Sequence, residues 1–252
     1  MLFPALARVR QSIPQPQVED VPGTIRRLIR SSRLRQRIRP GGTIAVGIGS
    51  RGIHGIAGIA RAIVETLKGM EYRPFIVAAM GSHGGATAEG QRALLADYGV
   101  TAEAMGVPVK TDLETLVLGT NPVGLPIYFD RNAYEADGII LANRVKPHTD
   151  FRGVHESGVV KMLVIGLGKR EGASQVHKLG VRGLRDVLPA VGRFLVQNTR
   201  FALGLAILEN AADVPAEIVA LEPETIFDVE PGLLERARGL MGRLPFDQID
   251  VL

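Results

Sequence analysis

The 252 residues contain no cysteine, which removes any disulfide framework or thiolate metal site and agrees with a reducing compartment. Long apolar runs are missing too. None approaches the roughly 18 residues a membrane-spanning helix needs, and the opening MLFPALARVRQSIPQPQ lacks the apolar core of a secretory signal. Nor is there a large surplus of one charge: 30 basic and 26 acidic residues leave a formal +4, too little to imply nucleic acid. The basic residues do gather between Arg26 and Pro40, in RRLIRSSRLRQRIRP, yet no aromatic side chain interleaves them to stack bases. That stretch reads as a solvated amphipathic helix with its exit loop, Ile25, Leu28 and Ile29 turned inward. The expectation is a cytoplasmic protein that binds neither nucleic acid nor membrane.

What is present is an alternation of apolar runs and helical patterns, in a chain with 46% hydrophobic and 22% charged residues. TIAVGIG (43–49), PFIVAAM (74–80), ADGIILANRV (136–145) and FALGLAILEN (201–210) read as strands, each followed or preceded by a helical pattern. TLVLGT and LPIYF read as short strands with a turn between them. Thr87 is placed to cap the helix TAEGQRALLADYG. VVKMLVIGLG (159–168) fits either a buried strand or a short core helix, and Pro189 should interrupt the helical stretch after it. IDVL at the end of the sequence resembles the start of a further strand. The fold class expected is α/β, a largely parallel Rossmann-like sheet flanked by helices, with ligands bound at the carboxyl ends of the strands.

Five histidines are available, and two stand where this architecture presents side chains to ligands. His83 lies in AAMGSHGGAT after one strand, and His148 in NRVKPHTDFRG after another. Two imidazoles titrating near neutrality at equivalent strand ends suit two-sided acid/base work. Lys161 interrupts the apolar run VVKMLVIG, so it either snorkels outward or is buried for a purpose. His177, late in REGASQVHKLG, fits a surface residue, a dipole partner or a metal ligand. Gly47-Ile48-Gly49-Ser50-Arg51-Gly52 is a GxGxxG between strand and helix, but the next strand ends in AAMGSH without the acid a dinucleotide ribose requires. Phosphate binding by this turn and Arg51 remains open.

In combination these motifs resemble the N-terminal domain of the lactate racemase family, over roughly residues 40–210. GSHGG (81–85) is similar to the family's Gly-x-His loop, and KPHTDFRGVHESGVVK (146–161) to its run from a second histidine to a lysine. The resemblance implies that His83 and His148 are catalytic acid/base residues and that Lys161 tethers a nickel-pincer nucleotide. His177, sixteen residues beyond Lys161, is implied as the nickel ligand, with Ser50 and Arg51 as cofactor contacts.

The activity implied is racemisation or epimerisation of a 2-hydroxy acid by proton abstraction and reversible hydride transfer. The implied partners are that substrate and the enzymes that build the cofactor. Residues 1–252 are read as an N-terminal catalytic domain whose C-terminal companion has no counterpart after Leu252. Two further departures from the family are visible: the step from His148 to Lys161 is longer, bringing in His155 and Glu156, and SRG stands where an acid is expected. His155 is thus a rival for the second acid/base role, and Arg144, Lys146 and Arg152 are available for substrate carboxylates. The alternatives are an NAD(P)-dependent oxidoreductase using the Gly47–Gly52 turn and a non-catalytic ligand-binding domain.

Overall fold

The computed structural model describes residues 8–50, 52–242, 244, 246 and 248. Arg51 and the segment IDVL lie outside the described residues. The chain runs through α1 (Val21–Ser31), α2 (Leu34–Arg37), β1 (Thr43–Ile48), α3 (Ile56–Lys68), β2 (Arg73–Ala78), a 3₁₀ turn (Gly84–Ala86), α4 (Ala88–Asp97), α5 (Ala102–Met105), β3 (Val109–Lys110), β4 (Thr115–Thr120), β5 (Pro126–Asp130), α6 (Arg131–Glu135) and β6 (Gly138–Arg144). It continues through α7 (Val159–Lys161), a π turn (Met162–Gly166), α8 (Lys169–His177), α9 (Gly180–Arg182), a second π turn (Gly183–Val187), α10 (Leu188–Asn198), β7 (Phe201–Glu209), β8 (Pro215–Leu221) and α11 (Ile226–Leu240).

Six strands form one sheet in the order β3-β2-β1-β6-β7-β8, parallel except for β8, which runs antiparallel to β7. This is the α/β class expected. Strands buried on both faces need continuous apolar sequence rather than alternation, and β7 is buried at every position. One face carries α1 and α3, whose Ile25, Ile29, Ile59 and Ile63 are buried against the sheet. The other carries α7, α10 and α11, packed through Val159, Val160, Leu188 and Leu233. β4 and β5 pair as a separate antiparallel hairpin.

The arginine-rich segment is the amphipathic helix expected, capped where Asp20 accepts from the Gly23 amide at 2.8 Å. Arg37, beyond it, is tied to Glu222 and Glu224 at 2.5 and 2.7 Å. VVKMLVIGLG is helical: Val159, Val160, Leu163, Val164 and Leu167 are buried, a helical spacing, while Lys161 is half-buried. Pro189 falls in the first turn of α10, directly after a π turn that interrupts the regular α-helical run where an interruption was expected. β3 and β8 had no counterpart among the expected strands.

Strand order reverses between β1 and β6, since β1 is followed in the sheet by β2 on one side and β6 on the other. The crevice beyond the carboxyl ends of such strands is where open α/β sheets bind ligands.

Candidate active site at the switch point of the sheet

That crevice holds a cavity of about 300 Å³. Ser50 enters it from the end of β1, Met80 and His83 from the end of β2, and Asn143 and Arg144 from the end of β6. The loop after β6 adds Lys146, His148 and Asp150, and the helical segment behind it adds Lys161, Met162 and Ile165. His177, at the end of α8, completes the wall. His83, His148, Lys161, His177 and Ser50 therefore meet in one void, although up to 127 positions separate them in sequence (177 − 50).

Each of these side chains is held by a local device. The His83 loop turns toward α4 at Gly84, whose φ of +65° and whose packing onto the Gln91 amide leave no room for a side chain. Buried Gln91 closes the loop, its Nε2 donating to the carbonyls of Gly81 (3.0 Å) and His83 (3.3 Å). Thr87 caps α4 as expected, accepting from Gly90 N at 3.0 Å. Ser50 Oγ is hydrogen-bonded to His83 Nδ1, and the Tyr98 hydroxyl donates to the Ser50 carbonyl.

The loop with His148 is pinched at its base by paired backbone bonds between Lys146 and Ser157 (3.0 and 3.2 Å). Inside it, the buried Glu156 carboxylate accepts from His148 N at 2.6 Å and Gly153 N at 3.1 Å, and pairs with Arg238 of α11 at 2.5 Å. His148 Nδ1 accepts from Asp150 N at 3.1 Å, and its ring centroid lies 4.6 Å from that of buried Phe151. The Phe151 ring also stands 5.8 Å from Lys161 Nζ, within cation–π range.

Lys161 sits where an α turn passes into a π turn, a distortion often found at functional positions. Its helix is capped by the Glu230 carboxylate, which accepts from Val159 N (2.6 Å) and Val160 N (3.2 Å). His177 is exposed at the rim, yet its imidazole is held below the ordinary value of 6.5, first by desolvation at the cavity wall and second by the positive charge of Lys161. Neutral imidazole is the metal-binding form.

Other residues fall elsewhere. His155 is buried, pairs through Nδ1 with Glu230 at 3.0 Å and lies outside the cavity lining. Arg152 turns back onto the carbonyls of His148 and Phe151, at 2.6 and 3.2 Å. Arg144 lines the cavity and pairs with Glu209 and with Asp213 (3.0 Å). The glycines of the GxGxxG turn have packing duties: a Cβ on Gly47 would sit 2.3 Å from Leu141 Cδ2, and one on Gly49 2.6 Å from Met162 Cε. Sequence reading passed over Asn143, which donates to Gly158 O at 2.8 Å; its place at the carboxyl end of a strand was the signal. Gln91 and Glu156 gave none, because their partners are set by the loops.

Fold and site together define an α/β domain with a basic, histidine-bearing ligand cavity at the switch point of its sheet. The chain matches the model of the lactate racemase N-terminal domain over residues 6–185, and it belongs to that family. No curated protein matches it. Among solved structures it is similar to the lactate racemase apoprotein from Thermoanaerobacterium thermosaccharolyticum, with a TM-score of 0.62 and 13% identity. The match covers 88% of this chain and 57% of that one, so the chain spans little more than half the length of the structure it resembles. At that identity the likeness is one of fold.

Proposed function

We propose that this domain racemises or epimerises a 2-hydroxy acid with the help of a nickel-pincer nucleotide tethered to Lys161. The observation that carries the reading is the meeting of His83, His148, Lys161 and His177 around one cavity of about 300 Å³.

The donor set agrees with such a group. Among the described residues no three His, Asp or Glu side chains are grouped to hold a metal ion, and the sequence has no thiolates. A metal here would depend on a bound group that brings most of its own donors, with one neutral imidazole from the protein. His177 is that imidazole, and Lys161, half-buried beside it, is the amine for a covalent tether. Ser50 and Arg51 would contact the nucleotide. When bound, the group supplies a reversible hydride acceptor.

The chain's own residues do the rest. His83 and His148 hold and release the proton of the substrate hydroxyl, a role that contributes about 10²–10⁴ in rate. Lys146 and Arg144 attract the substrate carboxylate. Met162, Ile165 and Leu184 give the cavity apolar surface that strengthens those charges. Partner enzymes that build the cofactor, and a cytoplasmic setting, belong to the same proposal.

The test is chiral. Protein produced together with the cofactor-building enzymes is incubated with single enantiomers of a panel of 2-hydroxy acids, and the appearance of the opposite configuration is followed. At least one acid should be inverted by the wild type and not by His83→Ala. Tight binding of free NAD(P), with no inversion of any acid, would replace this reading by the oxidoreductase one.

A further inference from the structure

Asn143, at the carboxyl end of β6, is only 8% exposed, yet it lines the cavity. Its Nδ2 donates to the Gly158 carbonyl at 2.8 Å and to the Arg144 carbonyl at 3.3 Å. The Gly158 oxygen also accepts from Met162 N at 3.0 Å, where the Lys161 helix begins. Carbonyl oxygens only accept, so the amide cannot be turned end for end: Oδ1 would then face two oxygens that have no proton to give. The orientation of the group is fixed.

The other end of the amide is left over. Oδ1 has no partner among the described residues. With the nitrogen committed to the backbone, the oxygen is what Asn143 presents to the cavity. Gly49, just past the end of β1, keeps it accessible: a Cβ there would stand 3.4 Å from Oδ1 and begin to cover it.

A ligand that fills this space takes solvent away from the oxygen. A buried acceptor left without a donor is costly, and a site built around a polar group rejects the analogue that lacks the matching one. The ligand must therefore bring a donor. An ionised carboxylate has none, and the proton of the 2-hydroxyl is the one His83 and His148 handle in the proposed reaction. An alkyl tail fails as well. A further hydroxyl serves.

From this we infer that Asn143 is a specificity-determining residue: its Oδ1 accepts a hydrogen bond from a substrate hydroxyl other than the one at C2, so the substrate is a polyhydroxy acid and not an alkyl 2-hydroxy acid. The fixed acceptor follows from geometry alone; its assignment to the substrate rests on the racemase reading.

The test uses pairs of acids that differ only by a hydroxyl in place of a methyl: glycerate against 2-hydroxybutyrate, and 2,4-dihydroxybutyrate against 2-hydroxyvalerate. Each is titrated into the full chain, ¹⁵N-labelled and without cofactor, and the side-chain amide of Asn143 is followed by NMR. In at least one pair the hydroxyl member should bind about tenfold to a hundredfold more tightly. It should also move the Asn143 signal, which its alkyl partner leaves in place. Asn143→Ala should bring the two affinities together while the alkyl acid keeps its own. Equal affinities in both pairs overturn the inference, as does a preference that survives in Asn143→Ala. The wild-type comparison decides even should that variant fail to fold. A signal moved by nicotinate mononucleotide and by none of the acids gives the oxygen to a ribose hydroxyl and overturns the substrate assignment. In cofactor-loaded protein the same preference should appear in kcat/KM for inversion. Loaded wild type that inverts no acid, with the preference intact in the titrations, instead counts against the racemase reading and leaves the Asn143 acceptor standing.

Discussion

Lys169 Nζ stands 2.7 Å from Asp130 Oδ2, and both side chains are buried beneath the carboxyl edge of the sheet. The same ammonium donates to the Ala78 carbonyl at 2.7 Å, at the last residue of β2 and five positions before His83 (83 − 78). Lys169 adopts a φ of +54° to do so, a left-handed backbone that a side chain with this length and charge must offset by its contacts.

Breaking that pair strands a buried charge. Lys169→Met should lower unfolding free energy by about 3–5 kcal/mol, read from urea midpoints. Adding Asp130→Asn should recover part of the loss, because the second change removes the unpaired charge. Additive losses would mean the two side chains do not act together.

Glu230 ties α11 to the start of the Lys161 helix, accepting from Val159 N, Val160 N and His155. Gly158 must lack a side chain there, since a Cβ would lie 2.7 Å from the carboxylate. Glu230→Gln should cost about 1.5–3 kcal/mol, the range for hydrogen bonds to a charged group. Hydrogen exchange should speed up first at Val159 and Val160. Unchanged protection at those amides would show that the cap does not hold the helix.

His177 carries a pH dependence whose sign follows from its surroundings. Its folded value lies below the ordinary 6.5, by desolvation first and the Lys161 charge second, so the unfolded chain binds the proton more readily. The contribution to stability is present above 6.5 and is lost as pH falls through the lower folded value. Urea midpoints should therefore fall less between pH 7.5 and 5.5 in His177→Gln than in the wild type. Lys161→Met should raise the NMR titration midpoint of His177 without restoring it fully, since desolvation is the larger cause. A midpoint above 6.5 in the wild type would contradict the placement of both side chains.

The central strands were legible because parallel strands buried on both faces are written as unbroken apolar runs, as in Ile44–Ile48 and Ile139–Ala142. β8 was not, since Pro215, Glu217 and an edge position dilute its pattern, with only three of its seven residues buried. VVKMLVIGLG left strand and helix open, and the burial of residues one, two, five, six and nine of that run decides for helix. His83, His148, Lys161 and His177 were read as motif residues; His83 and His148 reach the cavity from loops after β2 and β6, and Lys161 and His177 from helical segments packed beside them. The roles of Glu156, Glu230 and Lys169 were illegible. Their partners lie 82, 75 and 39 residues away for Arg238, His155 and Asp130 (238 − 156, 230 − 155, 169 − 130), contacts that only the finished fold creates.

The proposed function makes Lys161 a tether and His177 a metal ligand. Intact-mass and metal analysis of protein made with the cofactor-building enzymes addresses both at once. The expected result is an added mass of nucleotide size with bound nickel, the mass lost in Lys161→Ala and the nickel lost in His177→Ala. Unmodified mass and no nickel in wild-type protein that inverts a 2-hydroxy acid would contradict it.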